Sequence, residues 1–285
     1  MKDRTEKAKI LLEALPYIQK FNGKTIVVKY GGNAMLNEEL KNSVMRDIVL
    51  LSMVGMRVVL VHGGGPEISS MLEKLGKDSV FVDGLRYTDK ETAEIVAMVL
   101  AGKVNKSLVS LIHSNKGKVL GLCGVDGGMI KASIKNEAEL GYVGNIISID
   151  PEPINMALDE GFIPVVATMG VDDDGQVYNI NADTAAADIA AALNAQKLII
   201  MTDVRGVLRD KDDENTLISK IRTTEIPELI NEGIISGGML PKIESSVSAM
   251  SKGLNEAVII DGRIEHSILL ELFSDGGIGT LFLRS

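Results

Sequence analysis

The sequence predicts an α/β fold in which helices cover both faces of a largely parallel sheet. Short apolar runs recur along the chain: TIVVKYGG (25–32), RVVLVHGGG (57–65), KVLGLCGVDGG (118–128), FIPVVATMG (162–170), KLIIMTDVRG (197–206), EAVIIDGR (256–263) and GIGTLFL (277–283). They are β-branched and continuous rather than alternating, the pattern of strands buried on both faces. Longer segments of helical period separate them, which implies βαβ connections and a parallel sheet. Most of the runs lead into Gly or Asp, and ligands of such sheets bind beyond the carboxyl ends of the strands.

The chain has 285 residues, enough for one large α/β domain or two lobes sharing a sheet. At 45% hydrophobic residues the composition is that of a folded protein. A net charge of −9 without a Lys/Arg tract, and 4% aromatics without Trp, argue against nucleic acid as a partner. Cys123 is the only cysteine, so no intrachain disulfide forms, in keeping with a reducing, cytoplasmic setting. One Cys and three His (His62, His113, His266) argue against a Cys/His zinc site, and no metal ligands are assigned. No apolar run approaches the ~20 residues that cross a bilayer, so no membrane partner is expected.

Residues 1–21 form a separate N-terminal segment. Ala8, Leu11, Leu12, Leu15 and Ile18 share one side of a helix over about residues 3–21, and Pro16 should kink it. Two readings stand for the apolar side: packing on its own subunit, or on a partner subunit. The acidic stretch VDDDG (171–175) reads as a hinge between lobes or as a surface turn, and DKDDE (210–214) as a solvated loop without EF-hand spacing.

Four clusters could carry chemistry. After the first core strand comes Lys29-Tyr30-Gly31-Gly32-Asn33, where a lysine can aim its ammonium at a phosphate and the glycines admit close backbone N–H groups. A tight turn explains the Gly pair equally well. The second strand leads into His62-Gly63-Gly64-Gly65-Pro66-Glu67, an anion site of backbone N–H groups and a helix start. It lacks the GK[ST] ending of a Walker A loop and the last Gly of GxGxxG, which disfavours an oxidoreductase. His62 reads as structural rather than as a base. The third cluster, YNINADTAA (178–186), places Asn179, Asn181 and Asp183 before a small-residue helix, and a helix cap explains one of the three. In the fourth, GGMLPK (237–242), Lys242 falls in a first helical turn, where a cation is unfavourable unless an anion is near. Cys123 reads as a small core residue rather than a reactive thiol.

The ordered set KYGGNAM (29–35), LVHGGGPEIS (60–69), DGLRYTD (83–89), AGKVNKSLV (101–109), GxDGGMI (124–130), YNINADTAA (178–186), TDVRGV (202–207) and GGMLPKIES (237–245) resembles the acetylglutamate kinases of the amino acid kinase family, over nearly the whole chain. Single motifs are shared with aspartate, carbamate and uridylate kinases; GLRYTD with NINAD favours acetylglutamate. The resemblance implies an open three-layer αβα sandwich around a mainly parallel sheet of about eight strands. It implies an N-lobe, 22–175, for the amino acid and a C-lobe, 176–285, for ATP. It further implies phosphoryl transfer from Mg-ATP to the side-chain carboxylate of N-acetyl-L-glutamate, with Mg²⁺ held mainly by the ATP phosphates.

By matching positions, the resemblance puts Lys29 on the moving phosphoryl group, Lys242 on the leaving ADP oxygens and Asp183 between them, with the N–H groups of Gly32 and Gly64 completing the cage. Arg86 would bind the substrate α-carboxylate in bidentate fashion. Asn179 and Gly65 would hold its acetamido and carboxyl groups. Gly31, Gly32 and Asp203 join the two lysines on the nucleotide. A carboxylate with an unperturbed pKa of ~4.3 needs no general base. The family also contains longer, arginine-inhibited hexamers (trimers of dimers), which this chain resembles in LPYIQKF (15–21) and EHSILLELFSDGGIGTLF (265–282), and shorter arginine-insensitive dimers. In the longer type Tyr17, Glu271 and Gly277 would contact arginine, although Val258 stands where those enzymes commonly carry His. A carboxylate kinase acting on an aminoadipate derivative and a non-catalytic nucleotide or amino acid sensor remain as alternatives.

Overall fold

The computed structural model describes residues 2–35 and 37–284, with side chains placed outside 2–7, 33 and 34; Met1, Leu36 and Ser285, inside the three expected segments, lie outside the described residues. The chain begins with α1 (Lys2–Phe21), β1 (Thr25–Tyr30), α2 (Glu38–Met53), β2 (Arg57–His62) and α3 (Gly65–Lys74). A hairpin of β3 (Phe81–Val82) and β4 (Leu85–Arg86) leads to α4 (Lys90–Ala97), a π-helical stretch Met98–Val104 and α5 (Asn105–Ser114). Next come β5 (Val119–Cys123), β6 (Ile130–Ile134), α6 (Glu137–Leu140), β7 (Gly144–Ile149), α7 (Glu152–Asp159), β8 (Ile163–Ala167), β9 (Met169–Val171), β10 (Val177–Asn179) and α8 (Ala182–Ala192). The chain closes with β11 (Lys197–Thr202), β12 (Lys220–Arg222), α9 (Ile226–Asn231), α10 (Leu240–Ser251), β13 (Glu256–Asp261), α11 (Ser267–Leu272) and β14 (Thr280–Leu283).

Eight strands form the central sheet in the order β12-β14-β13-β11-β1-β2-β8-β5. β14 is antiparallel to β13 and parallel to β12, so these two run against the other six. Every expected apolar run supplies one strand of this sheet. Alternation along each strand feeds two cores: Ile26, Val28 and Tyr30 of β1 face one layer, and Val27 faces the other with Val59, Val61 and the alanines of α8. Both faces are covered, which is why the runs are continuously apolar. The alanines have a second consequence. With no side chain beyond Cβ, α8 lies close against β1, β2 and β11.

A second sheet, β10-β9-β6-β7, and the β3–β4 hairpin have no clear sequence signal, because their strands are two to six residues long and interrupted by Gly and polar residues. The VDDDG stretch is the turn of the β9–β10 hairpin: Asp172 Oδ1 accepts from the N–H groups of Asp174 (3.0 Å) and Gln176 (2.8 Å), and Oδ2 accepts from the Tyr178 hydroxyl (2.8 Å).

Two expectations need correction. The reading that α1 packs on its own subunit fails, since Leu11 and Leu12 are 72% and 66% exposed and Ile10 and Leu15 are also exposed. Among its described side chains, those that dock are at its carboxyl end: Phe21 is buried and the Tyr17 ring lies 6.4 Å from Phe273. The helix continues through Pro16 as one element. The reading that no apolar stretch has membrane-spanning length also fails: residues 90–114 join into one 25-residue helical run with a window of mean hydropathy 1.6. In the fold Ile95, Val99, Leu100, Val104, Leu108 and Ile112 of this run pack into the sheet core.

Candidate active site

The site is assembled at the carboxyl ends of the central strands. Lys29 is the fifth residue of β1, and the strand's alternation turns it to the α8 side while Tyr30 is buried on the other. Gly31 is needed by the lysine itself: a Cβ there would stand 2.8 Å from Lys29 Nζ. Gly32 adopts φ +73°, a left-handed conformation that suits glycine.

α8 supplies the partner. The Asn181 side chain caps this helix, accepting from the N–H groups of Asp183 and Thr184 at 3.0 Å each. Asn181 is therefore the cap residue of the third cluster, and the Asp183 carboxylate is left to point into the site. Its Oδ2 accepts from Lys242 Nζ at 2.9 Å. Its Oδ1 lies 3.0 Å from Lys29 Nζ but off the hydrogen-bond axis, so that contact is an ion pair only. Burial pushes the Asp183 carboxyl up, yet the two ammoniums outweigh it and hold it below the ordinary value. Lys242 is the third residue of α10, beside the positive end of the helix dipole. The anion that its position calls for is supplied in part by Asp183.

One cleft opens on the N-terminal side, lined among others by Gly64, Gly65, Arg86, Asn179 and Thr168. Gly64 has no room for a side chain: a Cβ would meet Leu100 Cδ2 at 2.7 Å and Val104 Cγ2 at 3.2 Å, both from the π-helical stretch. Asn179 Nδ2 donates to Thr88 Oγ1 at 3.3 Å. Arg86 is buried. Its Nη1 donates to Ser79 Oγ (2.7 Å), its Nη2 donates to Ser69 Oγ (2.7 Å) and the Gly65 carbonyl (3.0 Å), and the guanidinium stacks 4.6 Å from the Phe81 ring centroid. No carboxylate among the described residues pairs with it, and burial lowers its pKa. Both Nη2 protons are thus engaged, and a bidentate carboxylate must displace Ser69 or the Gly65 carbonyl. Ser69, Ser79 and Phe81 had no individual signal; only Ser69 falls inside a recognisable motif, GPEIS.

A second cleft, on the C-terminal side, is lined by Lys29, Gly32, Asp203, Gly206, Met239 and Lys242 among others. The two lysines thus stand on its wall, and Asp183 joins them to the end of α8 whose residues Asn181 and Ala182 line the first cleft. Gly31 is buried behind Lys29 and lines neither cleft. Among the described residues no group of three or more His, Cys, Asp or Glu could hold a metal ion unaided. His62 is fully buried and held down to about 4 by that burial, so it is neutral. Cys123 is half-buried, with its thiol pushed up by burial, which suits no nucleophile.

Tyr17, Glu271 and Gly277 gather around the loop that follows α11. The Tyr17 hydroxyl donates to Asp275 Oδ1 at 2.5 Å. Glu271 is buried, accepts from Lys197 Nζ (3.2 Å) and from the Ile278 N–H (2.9 Å), and Gly277 at φ +63° leaves room for its carboxylate. Val258 is a buried residue of β13. Lys197 begins β11 and Asp203 follows its end, so roughly 17 Å of strand separates this cluster from the nucleotide cleft.

The model of the amino acid kinase family matches residues 24–261 of this chain. The acetylglutamate kinase of Brachyspira hyodysenteriae is 57% identical over 278 residues, covering 97% of this chain and 96% of that protein. The acetylglutamate kinase of Clostridium kluyveri is 59% identical over 277 residues, covering 97% and 98%. Among solved structures, the N-acetylglutamate synthase of Neisseria gonorrhoeae, complexed with coenzyme A and N-acetyl-glutamate, superposes with a TM-score of 0.84 at 27% identity; it covers 96% of this chain, which spans 63% of the synthase chain. The chain belongs to the amino acid kinase family and groups with its acetylglutamate kinases.

Proposed function

We propose that this chain transfers the γ-phosphoryl group of ATP to the side-chain carboxylate of N-acetyl-L-glutamate, an acyl-phosphate-forming step of arginine biosynthesis. The observation that carries the reading is the Lys29–Asp183–Lys242 bridge on the wall of one cleft and beside a second that holds a buried, carboxylate-free Arg86. Relatives named acetylglutamate kinase, alike over 97% of the chain, fix the acceptor.

A substrate carboxylate oxygen attacks the γ-phosphorus, the bond to the ADP oxygen breaks, and ADP carries the charge away. The acceptor is already ionised, so the protein's work is positioning and charge stabilisation. Lys29 stabilises the moving phosphoryl group and Lys242 the leaving oxygens. Asp183 orients both ammoniums, and the N–H groups of Gly32 and Gly64 complete the cage. Arg86 takes the α-carboxylate, Asn179 and Gly65 the rest of the amino acid, Gly32 and Asp203 serve the nucleotide side, and Gly31 does so indirectly, by leaving room for the Lys29 head group. Mg²⁺, carried mainly on the nucleotide phosphates, would neutralise charge between them. The lobes are 22–175 for the amino acid and 176–285 for ATP, on one continuous sheet, in a cytoplasmic enzyme.

The same reading extends to regulation. The exposed apolar side of α1, within the oligomerisation segment 1–21, supports a hexamer built as a trimer of dimers, with a dimer as the simpler assembly. Arginine is the effector, bound beside Tyr17, Glu271 and Gly277, where its guanidinium would share Glu271 with Lys197.

Hydroxylamine should trap a hydroxamate from N-acetylglutamate with Mg-ATP; faster reaction of glutamate, aspartate or carbamate would contradict the acceptor. Lys29→Ala and Lys242→Ala should each raise the barrier by ~2–4 kcal/mol, seen in kcat with small changes in KM. Arg86→Ala should chiefly raise the KM for N-acetylglutamate, and equal effects of all three on ATP binding alone would contradict these roles. Light scattering should give a smaller assembly for a chain lacking residues 1–20 than for the full chain; a full-length dimer rules the hexamer out. Arginine should inhibit the full chain, and inhibition that survives Glu271→Ala would show the effector site to be elsewhere.

A further inference from the structure

His62 and Asn105 form a fully buried pair beneath the Gly63–Gly65 turn, and neither lines a cleft. Asn105 is the first residue of α5, directly after the π-helical stretch, and its amide reaches three adjacent strands. Nδ2 lies 2.8 Å from the Val165 carbonyl of β8, 3.2 Å from the Leu122 carbonyl of β5 and 3.1 Å from His62 Nε2 at the end of β2. The orientation of this amide follows from its surroundings. Lys106 Nζ, which can only donate, is 3.0 Å from Oδ1, and the two carbonyls, which can only accept, face Nδ2.

Nδ2 has two protons for these three neighbours and no capacity to accept, so His62 Nε2 cannot be the protonated ring nitrogen here and faces the amide with its lone pair, sharing a proton with a carbonyl. The single proton of the neutral ring is then on Nδ1, which lies 2.8 Å from the Gly63 carbonyl and donates to it. That carbonyl shares a planar trans peptide with the Gly64 N–H, so fixing one fixes the direction of the other. The Gly64 N–H has no acceptor among the described residues, and Gly64 lines the amino acid cleft.

We infer that His62, held by Asn105 as its Nδ1–H tautomer, is a positioning residue that aims the Gly64 N–H at the charge developing on the transferred phosphoryl group; only the last clause rests on the kinase reading. His62 touches no reactant. It acts through the peptide plane, which a core residue of equal bulk would not do.

Nitrogen-15 NMR of the full chain tests the first half without any assay. The chain has three histidines, and the His62 ring should be neutral with its proton on Nδ1. An Nε2–H tautomer or a charged ring at pH 7 would overturn the inference. The second half is kinetic. His62→Gln keeps an amide N–H only near the Nε2 position, whereas His62→Asn keeps one near Nδ1. His62→Gln should lower kcat on the order of 10²-fold with both KM values little changed, the scale set by misplacing a donor by about 1 Å. His62→Asn should recover about tenfold of that loss, equivalent to restoring one modest transition-state interaction. Equal losses in both variants, with equal unfolding midpoints, would reduce His62 to a packing residue. A wild-type chain inactive on N-acetylglutamate would instead fail the kinase reading and leave the tautomer decided by NMR.

Discussion

Two ammonium groups from distant parts of the chain meet on one buried carboxylate, and the site depends on that meeting. Lys29 comes from β1 and Lys242 from α10, and each lies within 3.0 Å of an oxygen of Asp183. Like charges brought this close in a poorly solvated place repel strongly, and the carboxylate between them makes the arrangement tolerable. It also leaves one net positive charge at the phosphate position. The bridge constrains the layers around it. α8 must lie close on β1 to bring Asp183 to Lys29, and its alanines permit that approach. α10 must pack beside α8 so that its first turn faces the same point.

Empty space is the second constraint. Gly31 makes room for the Lys29 head group, and Gly64 makes room for Leu100 and Val104 of the π-helical stretch. That stretch runs directly into Asn105, which is buried under the glycine turn. Glycines that read as phosphate-binding loops therefore have two physical reasons to be glycine. One is backbone access for an anion, and the other is a neighbour that a Cβ would displace.

The legibility of the sequence follows from how local each signal is. Strands buried on both faces are continuous apolar runs, so all eight central strands but the three-residue β12 were readable, and so were Lys29 near a strand end and Lys242 at a helix start. Lys242 at a helix start pointed to an anion nearby, and part of that anion proved to be Asp183, 59 residues away. No local pattern carries such a pairing. The cage around Arg86 draws on Ser69, Ser79, Phe81 and the Gly65 carbonyl, which the two-residue strands β3 and β4 help to bring together. Strands that short have no periodicity to detect. The open side of α1 is the converse case: its apolar stripe was plain, but whether its own subunit covers it is a tertiary fact.

The bridge makes a prediction that separates charge from shape. Asp183→Asn preserves the volume and one acceptor oxygen but leaves two uncompensated ammoniums, which still attract nucleotide phosphates while losing their fixed placement. Measuring kcat and ATP affinity of this variant tests the account most directly. The expected result is a kcat lower by about 10² or more, the scale of losing oriented transition-state donors, with ATP binding undiminished. An unchanged kcat, or a loss of kcat matched by an equal loss of ATP affinity, would contradict it.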